Sequence, residues 1–273
     1  MDPRDASLTR RALVSGIAAG TALVAGGCAA AGEQGSATLT TTHPSRSAAP
    51  PPTASSAPPS PRSTPPSLLL TPGGDITSGP TTGTGAALTF HGAGDVSTTQ
   101  AVLDLLHARG ARVTVFAVGT WLSATPSLGH EIVAAGHALG NHTWSHPVLT
   151  RLDLAAATDE VRRGADAVSA AVGRPGLLFR PSGTPTSTPT IRAAAAAVGY
   201  HRSVSYDIDS LDYTDPGADA VVSTVTAALH PGAIVSLHLG HPGTLSALPR
   251  LLDSLAARGL RAVTVTELLG GSA

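Results

Sequence analysis

From residue 86 onward the chain alternates two kinds of hydrophobic pattern. Short strand-like runs (ALTF, VTVFAVG, HALGNH, LLFRPS, SVSYDID, AIVSLHL and RAVTV) are each followed by a stretch with helical spacing. The first such stretch, STTQAVLDLLHARG, is predicted to be a helix capped at Ser97 or Thr98 and stopped at Gly110. A longer one covers 154–172. Seven strand–helix units imply an α/β fold with a parallel sheet covered by helices, and about seven parallel strands predict a distorted (β/α) barrel. No GxGxxG follows the first strand, which removes the usual sign of a dinucleotide site.

Upstream the pattern disappears. Residues 33–85 are dominated by Pro, Ser, Thr, Ala and Gly, as in SAAPPPTASSAPPSPRSTPPS, and cannot bury a core. They are predicted to be a disordered or polyproline-like tether reaching on the order of 150 Å. Residues 1–32 read as an export leader: Arg10 and Arg11 precede an apolar, small-residue run, the order found in twin-arginine signals. That run is short for a membrane span, although a retained anchor is the other reading. It ends in VAGGC, whose Cys28 resembles the lipidated cysteine of a bacterial lipobox. The expected location is the outer face of the cell membrane, with a lipid on Cys28. Cleavage after the alanines at 29–31 would instead release a secreted protein. The folded domain is then 86–273, expected to be a monomer.

Charge narrows the partners. The formal net charge is −1, every basic residue is arginine, and no basic run is present, so nucleic acid is not an expected partner. With one cysteine, disulfide chemistry is excluded. Histidine is the informative residue: ten of the eleven lie in the folded part. The polar clusters fall at strand ends: His91 and Asp95, His142 and His146, Arg180, Asp209 and Asp212, and His238. In a βα barrel the loops after the strands carry the chemistry. In GNHTWSHP, His142 and His146 are four apart, so a helix there would put both imidazoles on one face, able to share a metal. HxxxH by itself is a weak signal; a third ligand from the first strand end, imidazole or carboxylate, would complete a zinc-type site with an open position.

Together these motifs resemble the polysaccharide deacetylases with a NodB homology domain (carbohydrate esterase family 4), over about residues 86–269. GHALGNHTWSH is similar to the family's metal-binding motif, FRPSG to its arginine motif, YDIDSLDY to its aspartate–aromatic motif, and IVSLH to the motif carrying the general acid. The resemblance implies one divalent metal ion, expected to be zinc, held by Asp95, His142 and His146. It also implies His91 as base tied down by Arg180, and His238 as general acid oriented by Asp212. A backbone N–H near Ser182 or Gly183 would bind the oxyanion. Tyr213 would line the site, and Leu237, beside Ser236, would line the acetyl pocket.

The first motif departs from the family. In place of TFDDG the chain has TFHGAGD, with His91 at the base position, Gly92 at the ligand position, and Asp95 the one nearby carboxylate. An exchange of roles between His91 and Asp95 is therefore a second assignment. The expected activity is removal of N- or O-linked acetyl groups from a cell-envelope polysaccharide such as peptidoglycan. The rival is a catalytically degenerate, glycan-binding surface lipoprotein. The remaining groups carry no expected role: His137 and His241 read as structural or as neighbours of the site, and Trp121 and Trp144 as packing.

Overall fold

A computed structural model of the protein describes residues 65–174 and 176–270. The leader with Cys28 and most of the tether lie outside the described residues. The elements in chain order are α1 (Ser67–Leu70), β1 (Gly85–Gly92), α2 (Val96–Ala108), β2 (Thr114–Ala117), α3 (Gly119–Ala124), α4 (Pro126–Ala134), β3 (Ala138–Asn141), α5 (Leu154–Val172), α6 (Pro189–Val198), β4 (Ile208–Asp209), α7 (Ala218–Ala228), β5 (Ile234–His238), α8 (Pro242–Ala257), β6 (Arg261–Ala262) and α9 (Val265–Leu268). Among them no helix is long and apolar enough to cross a membrane.

All strand pairs are parallel, in the order β3-β2-β1-β5-β4, with β6 against the start of β1. The seventh expected strand, LLFRPS, contributes one bridge, Asn141 with Phe179, because Pro181 has no N–H with which to extend a ladder. The circuit from β3 back to β5 runs through few hydrogen bonds: Asn141 N to Leu178 O at 2.8 Å and Arg180 N to Asn141 O at 2.9 Å, then Val204 N to Phe179 O at 2.8 Å, and finally the two-residue β4 beside β5. The result is a distorted barrel with a weakly stitched side.

Alternation along the strands sorts the side chains. Ala86, Leu88 and Phe90 of β1 and Val235 and Leu237 of β5 join the core beneath the helices. Ala87 of β1, Ile234 of β5 and Phe116 of β2 point to the barrel interior. The interior becomes polar towards the C-terminal strand ends, through Thr89 and Ser236 to His91 and His238, two register pairs of β1 and β5. One sequence feature, period two along each strand, thus puts apolar residues under the helices and chemistry at one mouth.

Two expected boundaries move. The packed domain begins before residue 86, since Leu69 and Ile76 are buried and Ile76 bridges Val204. Two apolar residues in a Pro/Gly setting suffice because both find a preformed core surface. The cap of α2 is Asp95 rather than Ser97 or Thr98: its side chain accepts from Thr98 N at 2.9 Å. Helix α5 covers its expected span, capped by Asp153 and ended by Gly173 at φ 71°.

Candidate active site

The strand register places His91 beside His238, while β2 separates His91 from the loop that follows β3. That loop is not helical. Thr143 and His146 both take the left-handed conformation, at φ 67° and 60°, and this turns His146 back onto His142. The rings of His142 and His146 lie 4.8 Å apart at 68°. The HxxxH pair therefore converges through loop geometry instead of helical periodicity.

His91, His142 and His146 form the one group of three or more metal-ligating residue types that closes on a common point among the described residues, with their ligand atoms within 4.8 Å of one another. His142 is fully buried, and its Nδ1 donates to the Arg180 carbonyl at 2.9 Å, which leaves Nε2 with its lone pair. His91 Nδ1 faces that lone pair at 2.9 Å. His91 Nε2 meets Ser236 Oγ at 3.1 Å and Arg180 Nη1 at 3.3 Å. A hydroxyl both donates and accepts, so Ser236 can pair with His91 Nε2 in either tautomer, whereas Arg180 only donates and favours the proton on Nδ1. Burial pulls both His91 and His142 well below the ordinary histidine value, helped by the neighbouring positive groups, so both rings are neutral at pH 7.

Asp95 stands elsewhere. Its Oδ2 accepts from Ser97 Oγ at 2.6 Å, Thr98 N at 2.9 Å and Thr98 Oγ1 at 3.1 Å, all at the exposed start of α2. Those bonds hold its carboxyl below the usual value. The loop before it is pinned as well: Trp121 Nε1 donates to Gly94 O at 2.7 Å, and a Cβ at Gly94 would stand 2.6 Å from Gly240 N. The carboxylate expected as third ligand is a helix cap, and an imidazole takes the expected place beside His142 and His146.

Arg180 is buried beneath the group. It donates to the carbonyls of Val204 and Ser205 at 3.0 and 2.9 Å and to Thr89 Oγ1 at 2.9 Å, and it packs over the Phe116 ring at 4.1 Å. Among the described residues no carboxylate pairs with it, and desolvation pulls its guanidinium down to about 9. Its Nη1 reaches His91 Nε2 at 3.3 Å, while carbonyl dipoles hold the guanidinium itself.

On the other side, His238 and Asp212 form a tight pair. His238 Nδ1 donates to Asp212 Oδ1 at 2.7 Å, and Oδ2 accepts from the His238 backbone N at 2.7 Å and Thr244 Oγ1 at 2.6 Å. Burial pushes the Asp212 carboxyl up, but these hydrogen bonds outweigh it and hold it below the ordinary value. The His238 ring stacks on His91 at 4.3 Å and 27°, with Tyr213 edge-on at 5.3 Å. Thr244, a partner of Asp212, left no mark in the sequence, being 32 residues away.

The remaining expected site residues divide. Tyr213 is half-exposed at the rim. Gly183, at φ 67°, packs against Val148, where a Cβ would stand 2.8 Å from Val148 Cα. Leu237 does not line the site: it is buried under the helices, because His238 faces inward and adjacent strand residues face opposite ways. Ser236 takes the inward place. His137 is buried away from the site, accepting from Val113 N at 3.2 Å. His241 pairs with Asp215 at 2.8 Å on the site's edge.

Comparison with known proteins identifies the family. The family described as polysaccharide deacetylase matches residues 78–203. A chitooligosaccharide deacetylase from Bradyrhizobium sp. is 34% identical over 197 residues, covering 66% of this chain and 89% of its own. A peptidoglycan-N-acetylglucosamine deacetylase from Bacillus cereus is 33% identical over 187 residues, covering 67% and 87%. Among solved structures, a carbohydrate esterase family 4 pseudoenzyme from Bacillus anthracis superposes with a TM-score of 0.68 at 25% identity, covering 73% of this chain and 70% of its own. By sequence and by fold, the chain belongs to the polysaccharide deacetylase family.

Proposed function

We propose that this protein is a zinc-dependent deacetylase that removes acetyl groups, N- or O-linked, from a cell-envelope polysaccharide such as peptidoglycan. The observation that carries the reading is the joint presence, at one barrel mouth, of a three-imidazole group and a separate His–Asp pair. Three neutral nitrogen donors with no carboxylate suit zinc better than magnesium or calcium. His91, His142 and His146 would hold the ion, which as a Lewis acid would supply polarisation of the acetyl carbonyl.

Proton handling falls to His238. Both ring nitrogens of His91 are engaged, by His142 on one side and by Ser236 and Arg180 on the other. The His238 ring has Nδ1 fixed by Asp212, which leaves Nε2 for the reacting groups. His238 Nε2 would take a proton from the attacking water and return it to the departing amine nitrogen or alkoxide oxygen, with Asp212 stabilising the imidazolium between the two steps. The N–H groups around Gly183 are placed by the same reading at the oxyanion. Export and anchoring through Cys28 belong to this proposal too, supported by the paired arginines, the apolar run and VAGGC.

The test is acetate release from N-acetylglucosamine oligomers and from peptidoglycan by zinc-loaded protein. His238→Ala should lower kcat about 10²- to 10⁴-fold while zinc binding is kept. A second reading, a glycan-binding protein without turnover, is favoured by one observation: the capping role of Asp95 leaves the first motif with no carboxylate at the site. Saturable glycan binding by the zinc-loaded wild type without acetate release would establish that reading and exclude the first.

A further inference from the structure

The loop that carries His142 and His146 contains two non-glycine residues in the left-handed conformation, which costs about 1–2 kcal/mol each and persists only where surroundings impose it. Its backbone is held from two sides. The carbonyls of Thr143 and Trp144 accept from the N–H groups of Gly119 and Thr120, at 2.9 and 2.8 Å, in the first turn of α3. The amides face α5, where the Oε2 of Glu160 accepts from Trp144 N at 3.1 Å and Ser145 N at 2.8 Å, and Oε1 accepts from Ser145 Oγ at 2.8 Å.

The same helix face supports the loop in three more ways. Val161 O accepts from Asn141 Nδ2 at 2.8 Å, and Asn141 Oδ1 in turn accepts from Thr143 N at 2.9 Å. Arg163 lies over the Trp144 ring at 4.4 Å. Gly164 admits the loop backbone, since a Cβ there would stand 2.8 Å from the Thr143 carbonyl carbon. Of these contacts, the Glu160 carboxylate is the one that gathers consecutive amides between the two histidines.

We propose that Glu160 is a positioning residue for the histidine pair: by gathering the Trp144 and Ser145 amides it fixes the turn that brings His146 against His142, and so sets the affinity for the metal. This rests on the three-histidine reading of the site. Glu160 touches neither histidine ring and acts through the backbone between them. A carboxylate suits the task because one oxygen can accept two adjacent N–H groups while the other takes the Ser145 hydroxyl.

The experiment measures the zinc Kd of purified protein by competition with a chromophoric chelator, together with the Tm of the metal-free protein. Wild type, Glu160→Gln and Glu160→Ala are compared. Glu160→Ala should weaken zinc binding about tenfold or more, as loss of outer partners of metal ligands does. Glu160→Gln, whose amide oxygen still accepts while its NH₂ cannot, should fall between that variant and wild type; if the alanine variant does not fold, this intermediate loss carries the test. A lower Tm with an unchanged Kd in either folded variant would show a merely structural contact and overturn the proposal. Wild-type protein that binds no zinc would refute the three-histidine site itself, a separate result with which this proposal falls.

Discussion

Two loops at the same barrel mouth both carry motifs that resemble those of the family, and they are built on different terms. The loop after β3 contains the histidine pair and is held from two sides: His142 and Thr143 are fully buried while His146 is exposed, and α3 and α5 hold its backbone. The loop after β1 keeps one functional side chain, His91, on the strand itself, and spends its carboxylate, Asp95, on starting α2. A motif survives translation into structure where packing over-determines it. Where a loop residue has a strong local alternative, such as a helix cap, that alternative takes it.

The largest effect expected from this contrast is at His142. Its ring sits between His91 Nδ1 and the Arg180 carbonyl with no exposed surface, so His142→Ala leaves two polar partners unpaired and, on the proposed three-histidine site, would remove a ligand. Zinc affinity should fall by more than the roughly hundredfold that outer partners cost, and acetate release should fall with it. Isothermal titration of zinc into the folded variant checks this. Wild-type affinity there would remove the loop after β3 from the metal site and erase its contrast with the first loop.

A second effect separates the regions by pH. Burial, with the charges of Arg112 and His107 as lesser causes, lowers the His137 imidazole at the entry to β3 to about 4, and His91 and His142 are also held well below 6.5. Each folded-state value is depressed relative to the unfolded chain. The unfolded state therefore gains protons first as pH falls below about 6.5, and stability falls with it until the folded values are reached. For His137 alone the loss is about 3 kcal/mol between pH 6.5 and 4. Asp95 has a depressed carboxyl, so its contribution is present above the ordinary aspartate value and is lost only as pH falls below about 4. Urea unfolding of metal-free protein at pH 7.5 and 4.5 reads the histidine window alone. Equal stability at the two values would mean that these rings are not buried neutral.

The contrast also explains what the sequence made legible. Strand and helix periodicity marks the alternating elements and the ends where polar groups collect, and α5 has the span its spacing predicts. The FRPSG motif contains Arg180, next to the bridge residue Phe179, and YDIDSLDY contains Asp212, which opens a short 3-10 turn after β4. Their partners His91 and His238 are the residues that lie at strand ends. Leu237 faces the helices and not the site, as strand alternation requires once His238 faces inward. Gly92 shows the limit. A Cβ there would stand 2.9 Å from Val115 Cγ1 and 3.2 Å from Ala117 Cα, so the family's usual aspartate would not fit without moving β2. Nothing in the local sequence announces that packing, and nothing links Glu160 to a loop sixteen residues earlier. Both depend on contacts between elements.

The smallest expected effect bears most directly on the first loop. DVSTT has an aspartate three residues before Thr98, the spacing of an N-cap whose side chain accepts from a first-turn amide, and the structure shows that bond at 2.9 Å. If Asp95 is a cap and not a ligand, Asp95→Ala should lower the stability read by urea unfolding, because a first-turn amide loses its acceptor. Zinc affinity should stay within about twofold of wild type, since no ligand is lost. Asp95→Asn should recover most of the stability, because an asparagine oxygen caps nearly as well. The two roles separate cleanly in these variants, as a ligand would lose its charge in both and a cap would lose its acceptor only in the alanine. Zinc affinity reduced alike in both variants, at unchanged stability, would return Asp95 to the metal and make the two loops alike after all.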